Sequence, residues 1–109
     1  MKVIWSPRAK MARVATVRYL FEEFGYKTAS KFDAEVKEVV AQIKQFPGSG
    51  QEEKFLANEE MKFHSVPVGA YSKIVYRALE NEIHIDDIWD TRREPIAQAN
   101  NTVNQQNHK

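Results

Sequence analysis

The fold of this chain is decided by the stretch Tyr71–Pro95, YSKIVYRALENEIHIDDIWDTRREP. Two segments within it are rich in aromatic and β-branched residues, and polar residues at positions 80–82 separate them. This pattern predicts a β-hairpin, two antiparallel strands joined by a turn. In the second strand the isoleucines change from odd to even positions around Asp86 and Asp87, which predicts a β-bulge there. Since a bulge twists its strand, it would re-aim the basic end of the stretch.

The predicted hairpin has two chemically different faces, because successive residues of a strand point to opposite sides of a sheet. Ile74 and Tyr76 share one face, which suits a core. Lys73, Val75 and Arg77 share the other, which combines apolar and basic side chains.

Two helices are predicted before the hairpin. The first begins at Pro7, because Ser6 can cap it and proline has no amide to leave unpaired, and it ends at Gly25. The second begins after the N-cap candidate Thr28 and stops before Pro47. Each helix carries an apolar stripe at three- and four-residue spacing that is expected to face the core. The stripes are Val14, Val17, Leu20, Phe21 and Phe24 in the first helix, and Phe32, Val36, Val39, Val40, Ile43 and Phe46 in the second.

The remaining elements complete a two-layer arrangement. A short strand at residues 2–5 precedes the helices, and another is expected over Met61–Val68 after an irregular connection at 47–58. The order strand, helix, helix and three strands predicts an α+β fold, in which the helices cover one face of a mostly antiparallel, four-stranded sheet. The other face has no covering element in this prediction, and we expect it to meet a partner or substrate.

Composition sets limits on this fold and on its partners. The 109 residues are 42% hydrophobic and 28% charged, which predicts one globular domain. We place this domain at residues 1–96 and expect the polar residues 97–109 to form a disordered tail. The chain lacks cysteine and any apolar run long enough to span a membrane, which favours a cytoplasmic protein without membrane contact. The formal charge is only +1, so nucleic-acid binding would need a local basic patch.

Three segments resemble the RelE/ParE superfamily of toxins from type II toxin-antitoxin, or plasmid stabilisation, systems. They are VIWSPRA at the start, FGYKTASKF at the joint between the helices, and HSVPVGAYSKIVYRALENEIHIDDIWDTRREP at the end, and together they span residues 3–95. The last is the most specific, because members commonly close with a tyrosine-arginine strand, a polar turn, an isoleucine strand and an Asp-x-Arg-Arg-x-Pro-like end. The resemblance implies the compact toxin fold and growth inhibition, which a cognate antitoxin neutralises by covering exposed apolar and basic surface.

The resemblance is compatible with two activities. Some members are ribosome-dependent messenger RNA endonucleases, and others inhibit DNA gyrase without cutting anything. A third alternative is a non-toxic interaction domain. RNA cleavage without a metal requires cations at the phosphate, together with groups that exchange protons with the 2′-hydroxyl and the leaving oxygen. The endonuclease members typically carry a tyrosine in the C-terminal segment, and residues 96–109 contain none, a feature that favours the gyrase inhibitor. The endonuclease, in which His64 could replace the missing acid or base, is the first interpretation of the resemblance, and the gyrase inhibitor and the interaction domain are its alternatives.

The candidate site residues follow from the resemblance and from position. By resemblance, the catalytic candidates are Lys62, His64, Arg92 and Arg93, and Lys73 is a phosphate-binding candidate. Arg77 and Trp89 join the substrate-binding candidates because they lie on the basic face and at the end of the last strand. Each has a structural alternative: His64 exchanges protons or is an edge-strand residue without a role, and Trp89 contacts a partner or closes the core. The same choice between solvation and binding applies to the first helix's cations, which are Arg8, Lys10, Arg13 and Arg18.

Asp90 is expected to form an ion pair with Arg92 or Arg93 and to position the guanidinium. Neither a metal nor a cofactor is expected, since His84 and Asp86 on one strand face would supply only two ligands.

Overall fold

The computed structural model of the protein describes residues 1–54, 61–93, 98, 101 and 102. Its elements in chain order are β1 Lys2–Trp5, α1 Pro7–Phe24, α2 Tyr26–Gln45, β2 Gln51–Glu52, β3 His64–Val68, β4 Ser72–Ala78 and β5 Glu82–Asp90. No helix among the described residues is both long and apolar enough to cross a membrane.

The strands form one sheet in the order β1-β5-β4-β3-β2, in which β1 runs parallel to β5 and the other neighbours are antiparallel. The two helices cover one face, so the predicted α+β class is confirmed. The sheet has five strands instead of four. The additional strand, β2, is a polar Gln-Glu pair inside the predicted connection. Its side chains do not indicate a strand, and it becomes one because its backbone pairs with β3. β3 itself is shorter than predicted and begins at His64.

The bulge in β5 is confirmed at the predicted place. Val75 of β4 pairs with Asp87 and Tyr76 pairs with Ile85, so Asp86 is the additional residue. The start of α1 is attached to this bulge. The Ser6 hydroxyl donates to the Asp86 carbonyl at 2.8 Å, and its oxygen accepts the N–H of the first helical turn.

The helices meet at a single residue, Gly25. Its φ of 93° lies in the left-handed region, and its N–H donates to the Phe21 carbonyl at 2.9 Å. α1 begins and ends as predicted. α2 begins at Tyr26, however, and not after Thr28, because the glycine alone makes the reversal.

Only one of the two helical stripes faces the core as predicted. In α2 the buried stripe is Phe32, Val36, Val39 and Ile43, although Phe46 is exposed. In α1 the stripe assignment is wrong in part: Val14, Phe21 and Phe24 are 58%, 57% and 63% exposed. Ala9 is the only buried residue of α1, while Val17 and Leu20 pack partly against the core. α1 packs against α2 and β5, and the sides of the helix that face neither element remain exposed to solvent.

The outer face of the sheet, opposite the helices, is not the uncovered surface that the sequence predicted. Phe63, Val75 and Trp89 form a second buried cluster there. Thr102 is fully buried against it, and its hydroxyl accepts the Trp89 indole N–H at 3.2 Å. The chain's own residues therefore cover part of this face.

Residues 98, 101 and 102 are helical and belong to the predicted tail. The Gln98 side-chain amide hydrogen-bonds both the N–H and the carbonyl of Asp90, at 3.0 and 3.1 Å. Gln98 and Thr102 are therefore both hydrogen-bonded to residues of β5. The boundary after residue 96 and the rest of the tail lie outside the described residues.

Candidate functional site

Lys73, a predicted phosphate-binding residue on the outer face of β4, already has an acidic partner. Its ammonium lies 2.6 Å from a carboxylate oxygen of Glu53 and 5.1 Å from the centre of the Trp89 ring. Glu53 is only 8% exposed, and the same oxygen accepts the Ser65 hydroxyl. The positive charge of Lys73 is therefore neutralised by a buried carboxylate next to an aromatic ring.

Arg77, further along the same face, forms the second internal pair. Its guanidinium donates to both carboxylate oxygens of Asp86, at 2.8 and 3.0 Å, and lies 5.6 Å from the Phe63 ring centre. Asp86 is 1% exposed. Burial raises the pKa of its carboxyl, and the two hydrogen bonds from Arg77 oppose that rise. The bulge thus provides the carboxylate that holds Arg77.

His64 lies on the opposite side of the sheet from these cations. It pairs in register with Tyr76, whose side chain belongs to the helix-facing core, and the two rings are 5.7 Å apart. Its Nδ1 is buried and has no hydrogen-bond partner among the described residues. The Tyr76 hydroxyl donates to the Pro47 carbonyl at 2.7 Å and accepts the Gly50 N–H. Burial raises the pKa of Tyr76.

The two arginines lie at the other end of the sheet, after β5. Arg92 donates to both oxygens of Asp90 at 3.1 Å, and its guanidinium stacks 4.5 Å from the Tyr71 ring centre. The predicted ion pair is therefore confirmed for Arg92, and its hydrogen bonds lower the pKa of the Asp90 carboxyl. The exposed Arg93 side chain has no ion pair with a described residue.

The structure does not bring the predicted catalytic residues together. His64 is level with Tyr76, whereas Asp90 is level with Ser72, and the four residue steps between them span roughly 13 Å of strand. Lys62 is exposed just before β3, close to His64 in the chain and remote from the arginines. The prediction of one catalytic group made of Lys62, His64, Arg92 and Arg93 has no geometric counterpart here.

A groove at the arginine end has a volume of about 780 Å³ and was not predicted from the sequence. It lies between α1, the first half of α2, the turn joining β3 to β4, and the end of β5. Its aromatic and basic residues are Tyr19, Phe24, Lys31, Phe32, Tyr71, Arg92 and Arg93. We call it the aromatic–arginine groove.

A second concave surface of about 550 Å³ lies on the helical hairpin. It includes Val14, Phe21 and Tyr26, which are all exposed, and is bordered by the ion pair between Arg13 and Asp33 at 2.8 Å. We call it the hairpin surface. The sequence signal for it was present, since α1 contains more apolar residues than one core-facing stripe requires, but spacing alone assigned them all to the core.

Two of the four cations of α1 have a role that the sequence did not predict, which is ion pairing within the protein. Arg8 pairs with Asp87 of β5 at 3.1 Å and Arg13 pairs with Asp33 of α2, so both hold elements together. Lys10 and Arg18 form no ion pair with a described residue and remain exposed.

Among the described residues, no group of three histidine or acidic side chains is placed to hold a metal ion. The pair considered from the sequence is divided between other partners: His84 contacts Glu82 at 2.9 Å, and Asp86 binds Arg77.

Fold and surface together define a small two-layer protein whose basic sheet face is internally neutralised and whose helices expose apolar residues. Over residues 3–95 the sequence matches the family described as the ParE toxin of the type II toxin-antitoxin system parDE, and the chain belongs to this family. The resemblance to the RelE/ParE superfamily is thereby confirmed, and the family implies a cognate antitoxin partner.

Two solved structures share the fold. One is titled "Chromosomal ParDE TA system from P. aeruginosa", at 19% identity, with 83% of this chain and 95% of that chain covered and a TM-score of 0.66. The other is titled "The structure of YoeB dimer from Staphylococcus aureus", at 20% identity, with coverage of 80% and 92% and a TM-score of 0.53. No curated protein matches the chain significantly by sequence.

Proposed function

We propose that this toxin inhibits growth by binding a protein target, DNA gyrase, and that it does not cleave RNA. The observation that supports this proposal is the pairing of Lys73 with Glu53 and of Arg77 with Asp86. A phosphate could use either cation only by separating it from a carboxylate that is almost completely buried. That carboxylate would then lose its cationic partner while it stays buried, which is strongly unfavourable in a protein interior.

The distance between the remaining catalytic candidates also argues against RNA cleavage. General acid–base cleavage needs a proton-exchanging group and phosphate-binding cations within hydrogen-bond reach of one reacting centre. His64 is roughly 13 Å along the sheet from the end that carries Arg92 and Arg93. Trp89, the third substrate-binding candidate, is buried and hydrogen-bonded to Thr102, so it closes a core instead of offering a stacking surface.

The second part of the proposal is that the antitoxin binds the hairpin surface. Exposed Val14, Phe21 and Tyr26 next to basic Arg18 suit an amphipathic, acidic helix laid along the hairpin. Covering these side chains would remove a large apolar area from water without disturbing the fold.

The proposal is tested with the purified protein in two parallel assays. It should inhibit supercoiling by purified gyrase, and it should leave messenger RNA intact on translating ribosomes. The double substitution Lys62→Ala with His64→Ala should retain the inhibition of supercoiling, because neither residue contacts the target in this proposal. Message cleavage that is lost with Arg92→Ala and Arg93→Ala would contradict the proposal and establish the endonuclease.

A growth assay separates both activities from the third alternative. Expression in a host without the antitoxin should stop growth, and co-expression of the antitoxin should restore it. Normal growth with soluble, folded protein would identify a non-toxic interaction domain and would refute the proposal.

A further inference from the structure

α1 carries two separate series of partner-accessible side chains. Ala12, Thr16 and Tyr19 line the aromatic–arginine groove, whereas Val14 and Phe21 line the hairpin surface. The first series has four- and three-residue steps and the second a seven-residue step, which is two helical turns, and the two series are offset by two residues, which places them about 200° apart around the helix. The molecule therefore presents two different surfaces on opposite sides of one helix, and a partner on one leaves the other accessible.

The aromatic–arginine groove has the composition of a protein-binding site. Tyr19 and Tyr71 form its walls and are 49% and 56% exposed, although both line a concave surface. Leu20, Phe32 and Ile88 add apolar lining. Tyrosine and arginine are the residues that most often dominate binding energy in protein interfaces, and they do so where an apolar anchor can enter a pocket.

The charges of the groove are unevenly satisfied. Of its two carboxylates, Asp90 is paired with Arg92, and Glu35 accepts the backbone N–H of Gly69 but keeps its negative charge. Lys31 and Arg93, by contrast, line the groove without an ion pair to any described residue. With three cations and two carboxylates among its described lining residues, the groove has a net charge of +1. Two of these cations have no ion pair with a described residue and lie beside an apolar cavity, an arrangement complementary to a carboxylate next to an apolar side chain.

We propose that the aromatic–arginine groove is the target-binding site, and that it takes an acidic segment of the target protein with an apolar or aromatic anchor. The anchor enters between Tyr19 and Tyr71, and the carboxylates of the segment pair with Arg93 and Lys31. This inference rests on the proposed function in that the target is a protein. A nucleic acid fits less well, because its affinity depends on many phosphate contacts, and this groove has two internal carboxylates and an apolar lining.

The test uses two charge reversals in the groove and one matched reversal outside it. Arg93→Glu and Lys31→Glu change exposed groove residues, and Lys10→Glu changes an exposed lysine of α1 that lines neither surface. None of the three has an ion pair with a described residue, so all three variants should keep the wild-type circular dichroism spectrum and melting temperature. The probe is a soluble glutamate–tyrosine copolymer, whose binding is measured by titration calorimetry at low salt.

Wild type should bind the copolymer, each groove variant should bind at least about tenfold more weakly, and Lys10→Glu should remain within about twofold of wild type. Polyglutamate, which lacks the anchor, should bind more weakly than the copolymer. Equal losses in all three variants, no wild-type binding, or tighter binding of single-stranded RNA than of the copolymer would each overturn the assignment.

Gyrase provides a second readout that separates this inference from the proposed function. If wild type inhibits supercoiling and Arg93→Glu inhibits it equally well, gyrase is the target and the groove assignment is wrong. If wild type fails to inhibit gyrase but binds the copolymer through Arg93 and Lys31, the gyrase proposal is wrong and the preference of the groove for acidic segments stands.

Discussion

The ion pair between Arg13 of α1 and Asp33 of α2 shows what a single partly exposed charge contributes to this fold. The guanidinium donates to the carboxylate at 2.8 Å and also lies 5.1 Å from the Trp5 ring centre. The hydrogen bond from Arg13 lowers the pKa of Asp33, and partial burial opposes this effect. The pKa of the Asp33 carboxyl is lower in the folded state than its unfolded value of about 3.9, so the ion pair stabilises the folded protein at pH values above about 3.9. The contribution disappears as the pH falls through the folded-state pKa.

Asp33→Asn should therefore destabilise the protein at pH 7 by up to about 1 kcal/mol, as expected for a partly exposed pair. In urea unfolding, the difference in free energy between variant and wild type should shrink as the pH falls through the folded-state pKa of Asp33, since the wild-type carboxylate is then protonated. A destabilisation that stays as large as at pH 7 down to the lowest pH at which both proteins fold would show that the amide disturbs packing and that charge is not the cause.

Among the elements, the turn joining β3 to β4 is constrained both by its backbone conformation and by close packing. Gly69 has a φ of 66°, in the left-handed region, and a Cβ built on it would lie 2.9 Å from a ring carbon of Phe32 in α2. Backbone conformation and close packing both require glycine at this position. The turn also forms one edge of the aromatic–arginine groove, so its shape determines where Tyr71 stands.

Gly69→Ala should destabilise the protein by roughly 1 to 3 kcal/mol, from left-handed strain and the contact with Phe32. Gly48→Ala is the matched control, because that glycine has no positive φ and nothing within 4 Å of the added Cβ. The control should change the free energy of unfolding by less than about 0.5 kcal/mol. Urea unfolding of both variants provides the comparison, and equal effects would contradict this account of the turn.

On the scale of the whole molecule, Thr102 connects the end of the chain to the outer face of the sheet. Its hydroxyl oxygen accepts the Trp89 indole N–H and lies 3.1 Å from a carboxylate oxygen of Asp87 and 3.0 Å from the Gln98 carbonyl. Asp87 in turn binds Arg8 of α1. One buried hydroxyl therefore joins the C-terminal segment, the bulged strand and, through Asp87, the first helix.

Thr102→Val should destabilise the protein by about 1 to 3 kcal/mol, because it leaves the buried Trp89 N–H without an acceptor. Replacing Trp5 by phenylalanine leaves Trp89 as the one tryptophan of the chain. In that background, Thr102→Val should also shift the fluorescence emission of Trp89 towards longer wavelength if the C-terminal segment detaches. Thr16→Val is the control, since its hydroxyl only returns to the Ala12 carbonyl in the same helix, and it should cost less than about 0.5 kcal/mol. If the two variants unfold at the same urea concentration, Thr102 has no such connecting role.

The predictions that succeeded depend on residues close together in sequence. The cap at Ser6, the reversal at Gly25 and the bulge at Asp86 were each predicted from a few neighbouring residues, because capping, left-handed backbone and strand alternation are local properties of the chain. The family was also evident from local segments. The candidate site was predicted less well, since the residues that were named together do not lie together in the structure.

The sequence by itself determined the α+β architecture, both ends of α1, the position of the bulge, and membership of a toxin superfamily. Tertiary structure alone decided which cations are available: Lys73 meets Glu53 across 20 residues of sequence, Arg77 meets the bulge carboxylate, and Arg93 meets no described acid. It also decided that Val14 and Phe21 face outward and that Thr102 is buried. The physical reason is that ion pairing and burial depend on distances between elements, which the local preferences that form each element do not specify.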